Sequence, residues 1–296
     1  MSFRNWILLC LLGAIWGGSF IFAKVAVAEI PPLTLVFLRV FLAAVCLHLV
    51  LRWRGIAFPL TPGLLAAFLL MGLLNNAIPF SLLFWGQTAI SAALASILNA
   101  TTPIFTFLIA AVALGQEEVR IHRLVGVLTG FAGVVIMLAP SLGSAETPLW
   151  AQIACLGAAI SYGFAAAFAR RFKGIPAIVS AAGQLTGSSL IMLPLAAISL
   201  ANWEPLATSA IAWGNVIALG LLATAAAYLI YFRLLSEAGA TNASLVTLIV
   251  PASAILFGTM LLGESLQPPQ IAGFALLLLG LLILDGRVIK RVMRQI

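Results

Sequence analysis

Residues 95–115 read ASILNATTPIFTFLIAAVALG, and residues 243–263 read ASLVTLIVPASAILFGTMLLG. Laid over one another at an offset of 148, both begin Ala-Ser, both carry a proline at the same place (Pro103 and Pro251), and both end Leu-Gly. Each is apolar for about the 20 residues that a helix needs to cross hydrocarbon. The offset persists upstream: Gly72-Leu73-Leu74 falls on Gly220-Leu221-Leu222, Ala77 on Ala225, Phe80 on Tyr228 and Phe84 on Phe232. With one residue's adjustment, Gly126 and Gly133 fall on Gly273 and Gly280. At an offset of 146, Trp16-Gly17 falls on Tyr162-Gly163 and Lys24 on Arg170. The chain therefore reads as two related halves, 1–140 and 147–296.

The rest of the composition agrees with lipid as the solvent. Of 296 residues, 63% are hydrophobic and 8% charged, against roughly a quarter charged in soluble domains. Apolar runs predict ten helices, at 5–27, 33–51, 62–84, 88–114, 121–139, 149–171, 177–200, 211–234, 239–262 and 269–288. The gaps carry Pro31-Pro32, Pro59, Pro62, Gly115-Gln116-Glu117-Glu118, Pro140, Gly174, Pro176, Pro205 and Pro268-Pro269. The first run, after Arg4, could pass for a signal peptide ending at Ala26-Val27-Ala28. It is longer than a signal core of about 7–15 residues, and its counterpart in the second half marks it as a retained helix.

The net charge of +7 reflects topology rather than nucleic-acid binding. With the N-terminus in the cytoplasm, Arg4, Arg52, Arg54, Arg120, Arg123, Arg170, Arg171, Lys173, Arg233, Arg287, Lys290, Arg291 and Arg294 fall on one side. Glu29, Glu146, Glu204 and Glu264 fall on the other, and only Lys24 and Arg39 remain, near the outer ends of their helices. That asymmetry places both termini inside. Five helices per repeat is an odd number, so the second half enters from the opposite side. The expected fold is all-α: ten transmembrane helices in a 5+5 inverted repeat, an architecture of alternating-access carriers.

The motifs Trp16-Gly17-Gly18-Ser19-Phe20, Phe37-Leu38-Arg39, Ser91 through Ser96, and the paired Pro103…Leu114-Gly115-Gln116-Glu117 and Pro251…Leu262-Gly263-Glu264 resemble those of EamA-type members of the drug/metabolite transporter superfamily. The resemblance covers nearly the whole chain and is closest to bacterial exporters of aromatic and other neutral amino acids. It implies a central cavity, a small-molecule substrate and residence in the inner membrane. Fold alone does not determine the substrate.

Intramembrane polar groups need a partner or a wet cavity. Asn75 and Asn76 lie beside Pro79, which should kink its helix, and Phe80 follows. Thr224 and Tyr228 stand at the equivalent level of the second half. Trp16 and its counterpart Tyr162 are mid-helix. These, with Asn99, Gln184 and Ser188, are candidates to line the pathway; interhelical hydrogen bonding is the competing role. Pro103, Ser244 and Pro251 are candidate hinges or static bends. Lys24 and Arg39 near the outer mouth could snorkel, and Arg39 could steer a carboxylate or bond helix groups structurally.

No Asp or Glu falls mid-membrane, which points to facilitated diffusion rather than proton coupling. No catalytic set, metal cluster or cofactor motif is visible; Cys10, Cys46 and Cys155 read as small buried hydrophobes. An interfacial lipid enzyme is thereby disfavoured, inverted repeats with hinge prolines suit alternating access better than a channel, and an amino-acid exporter leads over a multidrug or other metabolite exporter. Gly13/Gly17, Gly126/Gly130 and Gly183/Gly187 suit close helix packing; they could mark a dimer face, but packing within one bundle is favoured, in keeping with a monomer.

Overall fold

The structure, a computed structural model, describes residues 2–115, 119–142, 148–199 and 203–286. Gln116, Glu117, Glu146 and the basic tail with Arg287, Lys290, Arg291 and Arg294 lie outside the described residues. The described residues form ten apolar helices: α1 Phe3–Ala26, α2 Pro32–Trp53, α3 Pro62–Gln87, α4 Ala92–Ala111, α5 Ile121–Leu138, α6 Leu149–Phe172, α7 Ala177–Ser199, α8 Ala210–Ala238, α9 Val246–Leu262 and α10 Pro268–Asp285.

Helix ends follow local chemistry. Prolines open α2, α3 and α10, where the missing N–H costs nothing. The Ser2 hydroxyl accepts from the Asn5 N–H at the start of α1. The α4 span starts at Ala92, four residues later than the apolar run suggests. There the Ser91 hydroxyl accepts the Leu94 N–H at 3.1 Å and caps the helix. The ninth span is likewise shorter than its apolar run: a turn at Ala240–Ala243 precedes α9.

The tertiary contacts obey the repeat. Packing of α1 on α9 is mirrored by α6 on α4; α3 on α7 by α8 on α2; α3 on α6 by α8 on α1. Where α5 crosses α10 the symmetry is visible atom by atom. A Cβ on Gly126 would lie 2.7 Å from the Gly280 carbonyl oxygen, and one on Gly280 would lie 2.7 Å from that of Gly126. Gly133 and Gly273 face each other in the same reciprocal way, each Cβ 2.5 Å from the other's carbonyl oxygen. Because Gly126 and Gly133 are the repeat counterparts of Gly273 and Gly280, the contact is self-complementary, as a two-fold axis requires. Two antiparallel-related halves of one chain thus form an inverted repeat around an all-α bundle. Gly13, Gly17, Gly183 and Gly187 also pack inside it, against Ile249, Val250 and Phe68.

The prolines behave differently in the two halves. Helix α4 breaks between Asn99 and Thr102, and the Thr102 hydroxyl donates at 2.7 Å to the Asn99 carbonyl, the group that Pro103 leaves without its backbone donor. Pro251 lies inside a continuous stretch of α9, and the interruption there falls earlier, at Ser244 and Leu245. The two prolines share a register, but the helix interruptions fall at different places, beside Pro103 in α4 and before Pro251 in α9. The Ser253 hydroxyl, 2.8 Å from the Gly13 carbonyl oxygen, ties this part of α9 along α1.

In α3 the backbone widens into a π-helical turn over Leu73–Ala77, and α8 does so over Ala218–Ala226, the equivalent position. Such turns leave carbonyls in need of donors and often occur at functional sites. Pro79 supplies no N–H to the Leu74 carbonyl, and the Ser161 hydroxyl of α6 donates to it instead at 2.7 Å.

Candidate substrate cavity

A cavity of about 1260 Å³ enters the bundle between Arg123, Arg170, Lys173 and Asp285, on the face where α1 begins and α10 ends, and runs inward to Phe20, Phe84 and Gln87. Its walls come from both halves. Aromatic rings dominate: Trp16, Phe80, Phe84, Tyr162, Tyr228 and Tyr231. The Trp16 and Tyr231 rings stand 5.6 Å apart, and Tyr228 stacks on Phe232 at 5.8 Å.

The two π-helical turns place polar groups on this surface. Asn75 Nδ2 donates to Gln184 Oε1 at 2.9 Å. The Tyr228 hydroxyl stands 3.4 Å from both Asn75 Nδ2 and Asn76 Oδ1, too far for strong bonds. On the other side of the pseudo-axis, Arg39 Nε donates to the Thr224 hydroxyl at 2.9 Å, and Thr224 donates on to the Leu219 carbonyl at 2.8 Å. The Arg39 guanidinium lies over the Phe80 ring at 3.8 Å and near Phe84 at 5.7 Å, a cation–π arrangement. Arg39 is 7% exposed. The described carboxylates, Glu29, Glu204, Glu237, Glu264 and Asp285, all lie at or beyond helix ends.

The opposite face is closed by polar stitches. Lys24 Nζ donates to the carbonyls of Gln87 and Ile90 at 2.8 and 2.9 Å, joining α1 to the end of α3. Gln87 Nε2 returns a bond to the Phe20 carbonyl at 2.8 Å. The Glu264 carboxylate accepts the Ala92 and Ala93 N–H groups at 2.7 and 3.0 Å, capping α4 from the second half. Glu29, between α1 and α2, accepts the Ser209 N–H and hydroxyl, both at 2.7 Å, at the start of α8. The Ser209 backbone bond first, and its hydroxyl second, lower the Glu29 pKa below the ordinary carboxylate value.

The model of the EamA-like transporter family matches the chain twice, over residues 4–139 and 149–284. This chain belongs to the EamA-like transporter family. Among its relatives is the uncharacterized transporter YoaV of Bacillus subtilis, 28% identical over 90% of this chain and 91% of that one. The uncharacterized inner membrane transporter YedA of Escherichia coli is 28% identical over 90% and 87%. A probable amino-acid metabolite efflux pump of Salmonella typhimurium is 28% identical over 96% and 95%. A solved structure at 19% identity has a TM-score of 0.67 and covers 99% of both chains, which shows the fold.

In this EamA-family transporter, the residues singled out by sequence divide into three groups. Trp16, Arg39, Asn75, Phe80, Asn99, Pro103, Tyr162, Gln184, Thr224 and Tyr228 line the cavity. Asn76 and Pro79 are buried just behind it. Four others lie off the cavity, and one of them, Pro251, is buried within α9. Ser188 is fully buried where the backbones of α7 and α3 meet at Gly72, and its hydroxyl is bonded to the Leu185 carbonyl. Lys24 does not snorkel freely but seals the far face, because two carbonyls at the end of α3 lie within reach. Ser244 is exposed at the end of the bundle. Sequence reasoning missed Phe84, the floor of the cavity, and Gln87, its latch. A glutamine one turn after Phe84 and level with Lys24 was the available signal for the latch.

Proposed function

We propose that this transporter exports small aromatic and other neutral amino acids across the bacterial inner membrane by alternating access and facilitated diffusion. The observation that carries the reading is a deep, aromatic-walled cavity with amides and a guanidinium, open at one face and stitched shut at the other. The excess of Lys and Arg on the open face supports placing that face in the cytoplasm. The state described is then the loading state of an exporter. Its volume exceeds that of ordinary ligand pockets, roughly 300–1,000 Å³, so a tryptophan enters with water to spare. The name of the Salmonella relative, a probable amino-acid metabolite efflux pump, points to the same substrate class. The absence of a mid-membrane carboxylate among the described residues supports uncoupled flux.

The test is flux in liposomes. Purified protein is reconstituted and counterflow of labelled Phe, Trp, Met and Thr is measured, with and without an imposed pH gradient. Saturable counterflow that the gradient does not concentrate is expected. Absence of flux for every amino acid refutes the substrate class, and gradient-driven accumulation refutes facilitated diffusion.

A further inference from the structure

The Arg39 guanidinium is only partly used by the protein. Of its five N–H donors, the one on Nε goes to Thr224. The Phe80 ring covers one face of the plane. The two terminal nitrogens, with four N–H groups, bond to nothing among the described residues, and no carboxylate of the described residues pairs with them. Yet Arg39 is nearly buried, and what exposure it has is to the cavity. A charge taken out of water without a counter-ion costs several kcal/mol, which a correctly shaped anion recovers. The outer edge of a guanidinium matches the two oxygens of a carboxylate.

What surrounds Arg39 determines which anion. Phe80 and Phe84 lie under and beside it, and Trp16, Tyr162 and Tyr228 line the same cavity. Those rings would stack on an aromatic group one or two carbons from the carboxylate. They would not hydrate the three or more oxygens of a phosphate or sulfonate. For a cation the deep cavity offers less. Among the described residues, Glu29 and Glu264 are engaged as helix caps on the far face, and Asp285 stands at the mouth. The deep site thus carries one formal positive charge, and its electrostatic complement carries one negative charge.

We propose that Arg39 is the carboxylate receptor of the cavity and that the ligands it selects are aromatic monocarboxylates, with the α-amino group dispensable. Aryl-lactates, aryl-pyruvates and aryl-acetates then bind at least as well as the corresponding amino acids, and arylethylamines bind poorly. Thr224 holds the guanidinium by Nε alone and leaves its fork turned to the ligand. This inference rests on the cavity being the substrate site. It narrows the substrate reading to the group that is recognised.

The experiment uses the full chain in nanodiscs. Binding of phenylalanine, 3-phenyllactate, 3-phenyllactamide and phenethylamine is measured by quenching of intrinsic tryptophan fluorescence. On the wild-type protein, 3-phenyllactate binds as tightly as phenylalanine or tighter. Phenyllactamide, which differs only in its neutral headgroup, and phenethylamine bind at least ten-fold more weakly. Arg39→Gln lowers affinity for both carboxylates at least ten-fold and raises, or at least does not lower, affinity for the cationic phenethylamine. Arg39→Lys, which keeps the charge without the fork, falls between. The ligand series on wild-type protein needs no variant to fold. Equal affinity for the acid and its amide, carboxylate binding untouched in Arg39→Gln, or no binding by any of the four overturns the proposal. Liposome flux separates the two readings. Flux of phenyllactate that depends on Arg39, without flux of amino acids, sustains the carboxylate receptor and sinks the amino-acid reading. Equal phenylalanine flux in wild type and Arg39→Gln does the reverse.

Discussion

Replacing Lys24 by Met removes two hydrogen bonds from the closed face and leaves an aliphatic chain of similar length. In the state described, Lys24 Nζ holds the carbonyls of Gln87 and Ile90 at 2.8 and 2.9 Å. Hydrogen bonds to charged groups contribute about 1.5–3 kcal/mol each. Lys24 is half-buried, so the lower figure applies, and the pair contributes about 3 kcal/mol. If Lys24 is a latch, opening that face separates α1 from the end of α3 and breaks both bonds. The substitution therefore shifts the equilibrium toward the opposite-open state by roughly 100-fold, at about 1.4 kcal/mol per factor of ten. The assay is alkylation of a single cysteine at Ser19, in the inner part of the cavity, with Cys10, Cys46 and Cys155 replaced by alanine. A membrane-impermeant maleimide is applied from the closed face. Lys24→Met should raise the labelling rate by one to two orders of magnitude, and Lys24→Arg should keep it near wild type. A rate unchanged within three-fold in Lys24→Met would refute the assignment of Lys24 as a latch.

Gly126→Ala places a Cβ 2.6 Å from the Leu284 nitrogen and 2.7 Å from the Gly280 carbonyl oxygen, so the α5–α10 crossing should lose about 1–3 kcal/mol; the thermal unfolding temperature in detergent should drop, while Gly63→Ala, in a helix with open space around it, should not lower it. Asn75→Leu leaves Gln184 without its 2.9 Å donor at the cavity wall, a loss of about 1–3 kcal/mol; scanning calorimetry should show it, and relief by the additional change Gln184→Leu would identify the pair as the cause. The Glu29 pKa is lowered on folding, so its contribution is full above the unfolded carboxylate pKa and disappears as the pH falls through the lowered folded value. Wild-type stability should decline in that acid window more than that of Glu29→Gln, and parallel pH profiles of thermal unfolding would contradict this.

Much of the fold was legible because lipid imposes it. Hydrocarbon demands continuous apolar helices, so ten of them could be read from length and composition alone. The offset of 148 revealed the repeat, and reciprocal packing of Gly126 on Gly280 and Gly133 on Gly273 is its tertiary counterpart. Local sequence was a poorer guide at the prolines. Pro103 and Pro251 share a register, but only α4 breaks beside its proline. Whether a proline bends a helix depends on which neighbour satisfies the freed carbonyl and how tightly the adjoining helix holds it.

The sequence by itself determined the class, the number of spans, the duplication and the set of polar residues that must face something other than lipid. The duplication follows from residues matched at one offset; the others follow from the cost of placing a polar group in hydrocarbon, a property of residues taken singly. Which polar residues meet was decided by tertiary structure. Ser188 and Gln184 share a face of α7 and both meet α3, yet Ser188 is sealed against Gly72 while the Gln184 side chain reaches Asn75 at the cavity wall. Lys24 and Arg39, the two cations within the outer halves of their helices, separate into a latch and a guanidinium facing the cavity. Their roles depend on partners more than 60 and 180 residues away along the chain, distances that only packing of the helices closes.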